Sequence, residues 1–332
     1  MPGKLILIII AICFIVETDH NVCAETVIWN NSAGGSWETA ANWTPAKVPV
    51  AGDDVIITGA DTGAITVDSE STINSLVLEG NHKLTLKSGK LTTSPVPHEI
   101  WTPDLATTWQ WQLTTPVDQT VDATMYDIDL FDNDVSVISS LHAKGKKVIC
   151  YFSAGSWEEW RPDATSFPAN VKGEDIDGWP GEKWLDIRNL AVLGPIMKER
   201  LDLAVQKGCD GVEPDNVDGY ANNTGFPLTA SDQIDYNRFI ASESHKRGLS
   251  VGLKNDLDQV STLLPDFDWA LNEQCFEFNE CEMLVPFVNA GKAVFNVEYN
   301  LPTSEFCPQA NAMNFNSLKK NLDLDATRTP CR

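Results

Sequence analysis

Several motifs that mark common enzyme chemistries are absent from this sequence. It has no HExxH, no paired CxxC and only five scattered histidines, which argues against a zinc site. No GxGxxG or Walker loop follows an apolar run, which argues against nucleotide binding. The segment YFSAGSW lacks the GxSxG pattern of serine hydrolases, and no histidine ends a strand-like run. We therefore expect neither a metal nor a cofactor.

Positive charge is also scarce. The 332 residues carry 24 Lys and Arg against 47 Asp and Glu, a net charge of −23. Nucleic-acid binding needs clustered basic side chains, so the sequence predicts no nucleic-acid partner. An excess of acid favours a cationic partner, although solubility alone would also explain it. The 42% hydrophobic content is enough for one large domain and one small one.

Long hydrophobic runs are missing as well. The longest, LILIIIAICFIV, has twelve residues, too few to span a bilayer. With Lys4 before it and the small-residue site VCA after it, this run is typical of a secretory signal peptide covering residues 1–24. Its removal takes away Lys4, Glu17 and Asp19, which leaves a net charge of −22. We expect a secreted, extracellular protein without a membrane anchor.

Six cysteines follow the signal peptide, and an exported chain meets oxidising conditions that favour disulfides. Cys275 and Cys281 would close a short loop, and Cys307 and Cys331 would pin the C-terminal tail. Cys150 and Cys209 lie in apolar strand-like surroundings, where a bridge and two buried free thiols are both open.

Residues 25–93 consist of short alternating runs such as DDVIITG and NSLVLEG, separated by Gly, Asp, Asn and Ser. This pattern predicts a small all-β module. Its opening is similar to the first coils of β-solenoid segments, while a compact sandwich stays open. Both a spacer role and binding of a surface polymer fit it. A proline-containing linker, residues 94–100, follows.

From residue 101 to 332, strand-like and helix-like runs alternate. Helical periodicity covers residues 190–208 and 230–248, each ending with Lys or Arg before Gly. Eight strands with intervening helices predict an α/β fold. They favour a (β/α)8 barrel, with a doubly wound open sheet as the alternative. The eight strand-like runs are TTWQWQL, TMYDIDL, KKVICYFSAG, KWLDI, GCDGVEP, LSVGLKND, FDWALNE and KAVFNVEYN.

Acids and amides stand where these predicted strands end. In a barrel of this type the active site lies at the C-terminal ends of the strands, so these side chains should converge. A single acid there could instead cap a helix or shape a turn. The segment DGVEPDNVDG does not have the ligand spacing of an EF-hand calcium loop. The strand-end acids are Asp127, Asp129, Asp186, Glu213, Asp215, Asp256, Glu273 and Glu298.

Paired carboxylates without metal or cofactor fit glycoside hydrolysis. One carboxyl protonates the leaving oxygen, and the other attacks carbon or activates water. Tryptophans near the predicted rim could offer flat faces to sugar rings, or they could pack in the core, which we expect for Trp269. These tryptophans are Trp109, Trp111, Trp157, Trp160, Trp179 and Trp269.

Four ordered motifs, EKWLDIR, KGCDGVEPDNVDGY, SVGLKND and FDWALNEQC, resemble glycoside hydrolase family 114, the endo-α-1,4-polygalactosaminidases. The resemblance covers residues 101–332 and implies a (β/α)8 barrel acting on α-1,4-linked galactosamine polymers of the galactosaminogalactan type. It places the catalytic acids at Asp215 and Glu273. A cationic amino-sugar polymer as partner agrees with the acidic composition.

We expect Asp215 to be the nucleophile and Glu273 the general acid/base, with swapped roles and an inverting mechanism open. We expect a monomer. A non-catalytic carbohydrate-binding or adhesion protein, or a hydrolase of a different α-linked polysaccharide, remain alternatives. The expected substrate-binding residues are Asp127, Tyr151, Asp186, Glu213, Asn216, Lys254, Asn272 and Glu298.

Overall fold

A computed structural model describes residues 26–58, 63–73, 75–78, 83–87, 90–93 and 100–332. The chain forms two compact units, residues 1–98 and 99–332. The expected signal peptide, and residues 94–99 of the expected linker, lie outside the described residues. Among the described residues, no helix is both long and apolar enough to cross a membrane.

The larger unit is built on eight parallel strands that follow one another in the sheet in chain order. Each strand pairs with the next, from β1 with β2 through β7 with β8. The strands are β1 (Trp109–Gln112), β2 (Met125–Asp129), β3 (Lys147–Ser153), β4 (Gly211–Asp215), β5 (Ser250–Lys254), β6 (Trp269–Glu273), β7 (Val294–Glu298) and β8 (Asn316–Lys320).

The sheet is nearly closed into a barrel, with β1 and β8 at the seam. A short strand, Arg328–Pro330, pairs antiparallel with β8. From it, Arg328 donates to the Trp109 carbonyl at 2.7 Å, and the Trp109 indole donates to the Asn316 carbonyl at 2.8 Å. These bonds take the place of strand pairing at the seam, and the fold is the expected (β/α)8 barrel.

Helices connect most of the strands. The two long helices, α2 (Leu190–Lys207) and α3 (Ala230–His245), confirm the two runs with helical periodicity. A capping box between Thr229 and Asp232 starts α3, and Gly208, with φ of 88°, ends α2 in the left-handed conformation that favours glycine. The helices are α1 (Val135–Ala143), α2 (Leu190–Lys207), α3 (Ala230–His245), α4 (Val260–Leu263), α5 (Cys275–Phe278), α6 (Val285–Asn289) and α7 (Thr303–Ala312).

One predicted barrel strand is wrong. The run KWLDI belongs to an insertion between β3 and β4, where Glu182–Leu185 pairs antiparallel with Ser156–Glu158 and Lys172–Asp175. Trp184 and Leu185 are buried there, so the run has the apolar character of a barrel strand without its position. The eighth strand is β8, whose NSLKK sequence is mostly polar.

The interior of the barrel holds an apolar core distinct from the one between the sheet and the helices. Gly252 of β5 makes room for it, because a Cβ atom at this position would lie 2.4 Å from the Trp269 ring. The interior core consists of Trp109, Trp111, Met125, Ile149, Trp269, Leu271, Ala293, Phe295, Val297, Leu318 and Leu324.

The smaller unit is strand-rich, and most of its pairs are parallel. Strand Asp54–Ile57 pairs in parallel with Thr26–Trp29 and with Ser75–Leu78. Further parallel pairs join Ile65–Val67 to Gly35–Ser36 and Leu84–Leu86, and Ser71–Ile73 to Leu91–Thr93. One antiparallel strand, Trp43–Thr44, closes an edge. Stacked parallel strands are the pattern of a solenoid and not of an antiparallel sandwich.

Three disulfides join the six cysteines of the larger unit. The two expected pairs are present, Cys275–Cys281 and Cys307–Cys331. The open question at Cys150 and Cys209 is answered by a third bridge, which links β3 to the segment entering β4 across 59 residues of chain. This bridge fixes two neighbouring strands that both lead to the site described below.

Candidate active site

A cleft of about 740 Å³ opens at the C-terminal ends of the barrel strands. The side chains at its wall are strongly biased in charge, since Lys254 and Arg161 are the only basic ones among the described residues that line it. The acids that line it are Asp129, Asp132, Glu158, Glu182, Asp215, Asp218, Asp256, Asp258, Glu273 and Glu280. Four of the eight strand-end acids take part in this convergence, namely Asp129, Asp215, Asp256 and Glu273.

Sharp backbone turns present the strand-end side chains to the cleft. The residue after each of β4, β5 and β6 has a left-handed conformation: Asn216 has φ of 59°, Asn255 of 48° and Gln274 of 65°. Asparagine tolerates this conformation better than most residues, which explains two of the three choices. The turns end each strand immediately after Asp215, Lys254 or Glu273.

Asp215, the last residue of β4, is held by three donors. Its Oδ1 accepts a hydrogen bond from the Asn216 backbone N–H at 2.8 Å and lies 3.1 Å from the Lys254 Nζ. Its Oδ2 accepts from the Tyr151 hydroxyl at 3.0 Å. The pKa of Tyr151 is raised well above its ordinary value, mainly by burial and also by the charge of Asp215. This hydroxyl therefore stays a donor. All three contacts fix the position of the Asp215 carboxylate.

Glu273, the last residue of β6, contacts the same ammonium. Its Oε2 lies 3.4 Å from the Lys254 Nζ and 3.4 Å from the Asn255 side-chain amide. Its Oε1 accepts from the Tyr299 hydroxyl, whose pKa is raised by burial and by the Glu273 charge. The Glu273 side chain is 26% exposed, against 19% for Asp215. Both carboxylates therefore face the cleft.

Lys254 stands between the two carboxylates and is itself buried, with 1% of its surface exposed. Its Nζ also donates to Glu213 Oε1 at 2.8 Å and lies 4.7 Å from the centre of the Trp111 ring. Burial alone would lower the pKa of Lys254, but the three surrounding carboxylates raise it well above its ordinary value. The side chain is therefore a permanent cation on the cleft floor.

Beneath Lys254 lie Glu213 and Asp127, both fully buried. Glu213 precedes Asp215 by two residues, so it points to the same barrel interior one layer deeper. Its Oε2 accepts from the Trp111 indole at 3.0 Å. Burial raises the pKa of Glu213 to about 7 and, together with the charge of Glu213, raises that of Asp127 well above its ordinary value. Neither acid lines the cleft.

Three other acids of the cleft wall also hold their protons more strongly than usual. Burial is the main cause at each, and neighbouring carboxylates add to it at all three. The pKa is raised to about 6 at Asp218, about 7 at Glu182 and about 8 at Asp256. Asp256 accepts from Asn237 at 2.9 Å, and its other oxygen, Oδ1, has no hydrogen-bond partner among the described residues.

The tryptophans divide between core and cleft. Trp109 and Trp269 are at most 1% exposed in the barrel interior, and Trp111, equally buried, forms part of the cleft floor. Trp160 and Trp179, from the insertion between β3 and β4, are 51% and 52% exposed and line the cleft. These two tryptophans offer open faces for stacking on a sugar ring, and Phe278, which is 62% exposed, is a further exposed aromatic ring in the cleft wall.

Among the expected substrate-binding residues, Tyr151, Asn216, Lys254 and Asn272 line the cleft. The other four do not. Asp186 pairs with Arg188 through bonds of 2.7 and 2.9 Å, because the run that precedes it is part of the insertion.

Glu298 is fully buried and accepts from the Phe276 backbone at 2.9 Å. Because fully buried carboxylates cannot reach a sugar hydroxyl, the expectation of substrate contact is corrected for Glu298, Glu213 and Asp127.

Sequence reasoning did not assign a role to several residues of the site. Tyr299 and Asn255 donate to Glu273, and each directly follows a strand end, which was the available signal. Glu182 reaches the cleft from the insertion, which gave no signal. Within the described residues, no group of three His, Cys, Asp or Glu is placed to hold a metal ion.

A (β/α)8 barrel whose strand ends present two carboxylates in a cleft is an arrangement that glycoside hydrolases use. Comparison with known proteins gives the family. The family model of glycoside hydrolase family GH114 matches residues 90–332, and the chain belongs to this family. No curated protein sequence matches the chain.

Two solved structures illustrate the relationship. The chain is similar to Aspergillus fumigatus Ega3 in complex with galactosamine, at 44% identity and a TM-score of 0.67, over 70% of this chain and 97% of that one. It also resembles the glycoside hydrolase domain of PelA from Pseudomonas aeruginosa, at 13% identity and a TM-score of 0.54, over 67% and 96% of the two chains. The second likeness concerns the fold alone.

Proposed function

We propose that this protein is an endo-acting hydrolase of α-1,4-linked galactosamine-containing polysaccharide, with Asp215 and Glu273 as its catalytic pair. The observation that carries the proposal is the position of these two carboxylates. Both lie at strand ends in one cleft, and both contact one buried ammonium, at 3.1 and 3.4 Å.

The charge of the cleft supports an amino-sugar substrate. Ten acidic and two basic side chains line it, so it attracts cations, and a deacetylated galactosamine unit carries an ammonium group. The similar protein Ega3 is known in complex with galactosamine. A cleft of about 740 Å³ with two exposed tryptophans has room for an oligosaccharide segment, as an endo-acting enzyme needs.

Hydrogen bonding supports the assignment of roles. Asp215 receives contacts of 2.8, 3.0 and 3.1 Å from a backbone N–H, a hydroxyl and an ammonium, which hold its carboxylate in place to attack as a nucleophile. Glu273 accepts one short hydrogen bond, from the Tyr299 hydroxyl, but its contacts with Asn255 and Lys254 are longer, both 3.4 Å, and its side chain is more exposed than that of Asp215. It is the carboxyl better placed to take up a proton and deliver it to the glycosidic oxygen.

The distance between the carboxylates favours retention of configuration. Asp215 Oδ1 and Glu273 Oε2 contact the same nitrogen at 3.1 and 3.4 Å, so these two oxygens are closer than about 6.5 Å unless the nitrogen lies on the line between them. Inverting enzymes need about 6.5 to 9.5 Å to admit a water, whereas retaining enzymes keep about 5 to 5.5 Å. Asp215 would then attack the anomeric carbon, and Glu273 would later activate water to release the sugar from Asp215.

Secretion is part of the proposal. Three disulfides within one unit fit an oxidising compartment, and the N-terminal residues have the composition of a signal peptide. N-terminal sequencing of the protein recovered from the medium of its source checks this point. A first residue at Glu25 is expected, and retention of the protein inside the cell would contradict it.

The test of function uses α-1,4-linked galactosamine oligosaccharides beside fully acetylated and galactose-only oligosaccharides, with products measured by mass spectrometry. We expect internal cleavage of the amine-bearing oligosaccharides. Cleavage only of the acetylated or galactose oligosaccharides would overturn the substrate assignment. Absence of cleavage of all three, with binding retained, would favour a carbohydrate-binding role.

A further inference from the structure

Two of the expected substrate-binding acids, Asp127 and Glu213, lie too deep to touch a substrate, which raises the question of what they do. Both are fully buried in the barrel interior beneath the catalytic pair. A buried carboxylate is costly unless it is neutralised or paired. They lie on β2 and β4, beneath the Lys254 ammonium of β5. This ammonium contacts Glu213 on one side and Asp215 and Glu273 on the other.

The contacts of Glu213 show how this group is organised. One oxygen accepts from Lys254 at 2.8 Å, and the other accepts from the Trp111 indole at 3.0 Å. These bonds fix the carboxylate in two directions. Among the five contacts of the Lys254 Nζ with carboxylates and rings, the one to Glu213 is the shortest, so Glu213 is its principal anchor.

Asp127 completes the group. As a carboxylate, neither of its oxygens has a hydrogen-bond partner among the described residues. As a neutral carboxylic acid, it can donate its proton to the adjacent Glu213, and its raised pKa, caused by burial and by Glu213, agrees with that state. A neutral Asp127 also leaves the anionic Glu213 with three donors around it.

We propose that Lys254 is a positioning residue that fixes the Asp215 and Glu273 side chains relative to each other, and that Glu213 and Asp127 anchor Lys254 from the barrel interior. This role rests on the proposed function and gives the reaction a fixed geometry. Lys254 offers no free face to a sugar, because carboxylates and the Trp111 ring surround its ammonium. The titratable groups that face it are Asp127, Glu213, Asp215, Asp218, Glu273, Tyr151 and Tyr299.

Kinetics of four variants test the role on a galactosamine oligosaccharide that the parent cleaves. Lys254→Met and Glu213→Gln should lower kcat by at least about 100-fold with little change in KM, because positioning acts on the reaction step. In Lys254→Met, the pH profile of kcat should also change, since both carboxylates lose the cation that they contact. Asp127→Asn should keep most activity because its amide can donate, whereas Asp127→Leu should not.

Parent values of kcat and an unchanged pH profile in folded Lys254→Met or Glu213→Gln would overturn the proposal. So would equal activity of Asp127→Asn and Asp127→Leu. Thermal unfolding of each variant shows whether a loss of activity comes from misfolding.

A crystal structure of Glu213→Gln separates this proposal from the proposed function. Movement of the Lys254 ammonium together with the Asp215 and Glu273 side chains supports positioning even if the parent cleaves none of the oligosaccharides offered. Unchanged positions of all three overturn positioning even if the parent is an active galactosaminidase.

Discussion

The two ends of the barrel interior differ sharply, although the same strands build both. β6 begins at Trp269, which is fully buried in the apolar core, and ends at Glu273, which lines the cleft. β4 begins at Gly211, which faces Ile149 and Ser250, and ends at Asp215. One end is packed by bulky apolar groups, and the other collects carboxylates around a single ammonium.

This difference shows how the fold separates stability from chemistry. The apolar end excludes water and contributes burial free energy, at about 25 cal/mol per Å² of apolar surface. The polar end concentrates like charges, which is unfavourable unless a cation or hydrogen bonds offset the repulsion. Substitutions at the polar end should therefore affect mainly activity, and substitutions at the apolar end should affect mainly the free energy of unfolding.

The largest effect is expected at the catalytic pair. Asp215→Asn and Glu273→Gln should each lower kcat by about 10⁴-fold on galactosamine oligosaccharides, because each removes a reacting group. The change in stability should be small, since each substitution relieves repulsion among the acids of the cleft but also weakens a contact of the buried Lys254. Reducing-end assays and thermal unfolding measure the two quantities.

The matched control is Asp122→Asn. Asp122 has a fully exposed side chain outside the cleft, so this change should leave kcat and Tm unchanged. A loss of less than tenfold in both catalytic variants would remove Asp215 and Glu273 from the chemistry.

The next effect is expected at the apolar end. In Gly252→Ala, the new Cβ would lie 2.4 Å from the Trp269 ring, so the interior core must shift. Such overpacking typically costs about 1 to 3 kcal/mol of unfolding free energy, measured by denaturant titration. Activity measured well below Tm should change little. Unchanged stability with a large loss of activity would contradict the separation between the two ends.

A smaller effect concerns the dependence of stability on pH. Burial, with neighbouring Asp218 adding, raises the pKa of Asp256 to about 8 from 3.8, so between these values the folded state keeps a proton that the unfolded state loses. Stability should therefore fall as pH rises from 5 to 8.5, by about 1 to 2 kcal/mol, because coupled titration spreads the effect.

Thermal unfolding of Asp256→Asn at both pH values checks this cause. The variant should show a weaker pH dependence than the parent, while Asp122→Asn should keep the parent slope. A parent that gains stability as pH rises through this window would show that Asp256 is ionised in the fold.

The smallest effect is expected at the exposed tryptophans of the cleft. Trp160→Ala and Trp179→Ala should each raise KM by about 3- to 10-fold, because stacking on an aromatic face is worth about 0.5 to 1.5 kcal/mol. The kcat for short oligosaccharides should stay near the parent value. Equal KM for parent and both variants on long and short substrates would show that neither ring binds sugar.

Much of the fold was predictable because apolar periodicity reports burial directly. Seven of the barrel strands and the helices α2 and α3 follow from it. The exception is instructive, since KWLDI is buried in the insertion, whereas β8 is polar. Lys319 and Lys320 of β8 reach backbone carbonyls at Tyr299 and Asp325, so this strand is fixed by hydrogen bonds that leave no apolar signal.

The sequence predicted those site residues whose place in the cleft depends only on their position along a strand. Asp215 and Glu273 end their strands, and that alone brings them to the cleft. Depth was not predictable, because Glu213 and Asp215 differ by only two residues, yet one is fully buried and the other lines the cleft. The partners of Glu273, Tyr299 and Asn255, depend on how neighbouring strands are staggered, which spacing along the chain does not report.

The most direct test of the central claim, that Asp215 and Glu273 act as nucleophile and acid/base from either side of one ammonium, is the configuration of the first product. Proton NMR during cleavage of a galactosamine oligosaccharide distinguishes the two anomers before they interconvert. The α anomer appearing first is the result this account predicts, because two inversions restore the configuration. The β anomer appearing first would mean a single displacement by water, and it would contradict the assignment of Asp215 as the nucleophile.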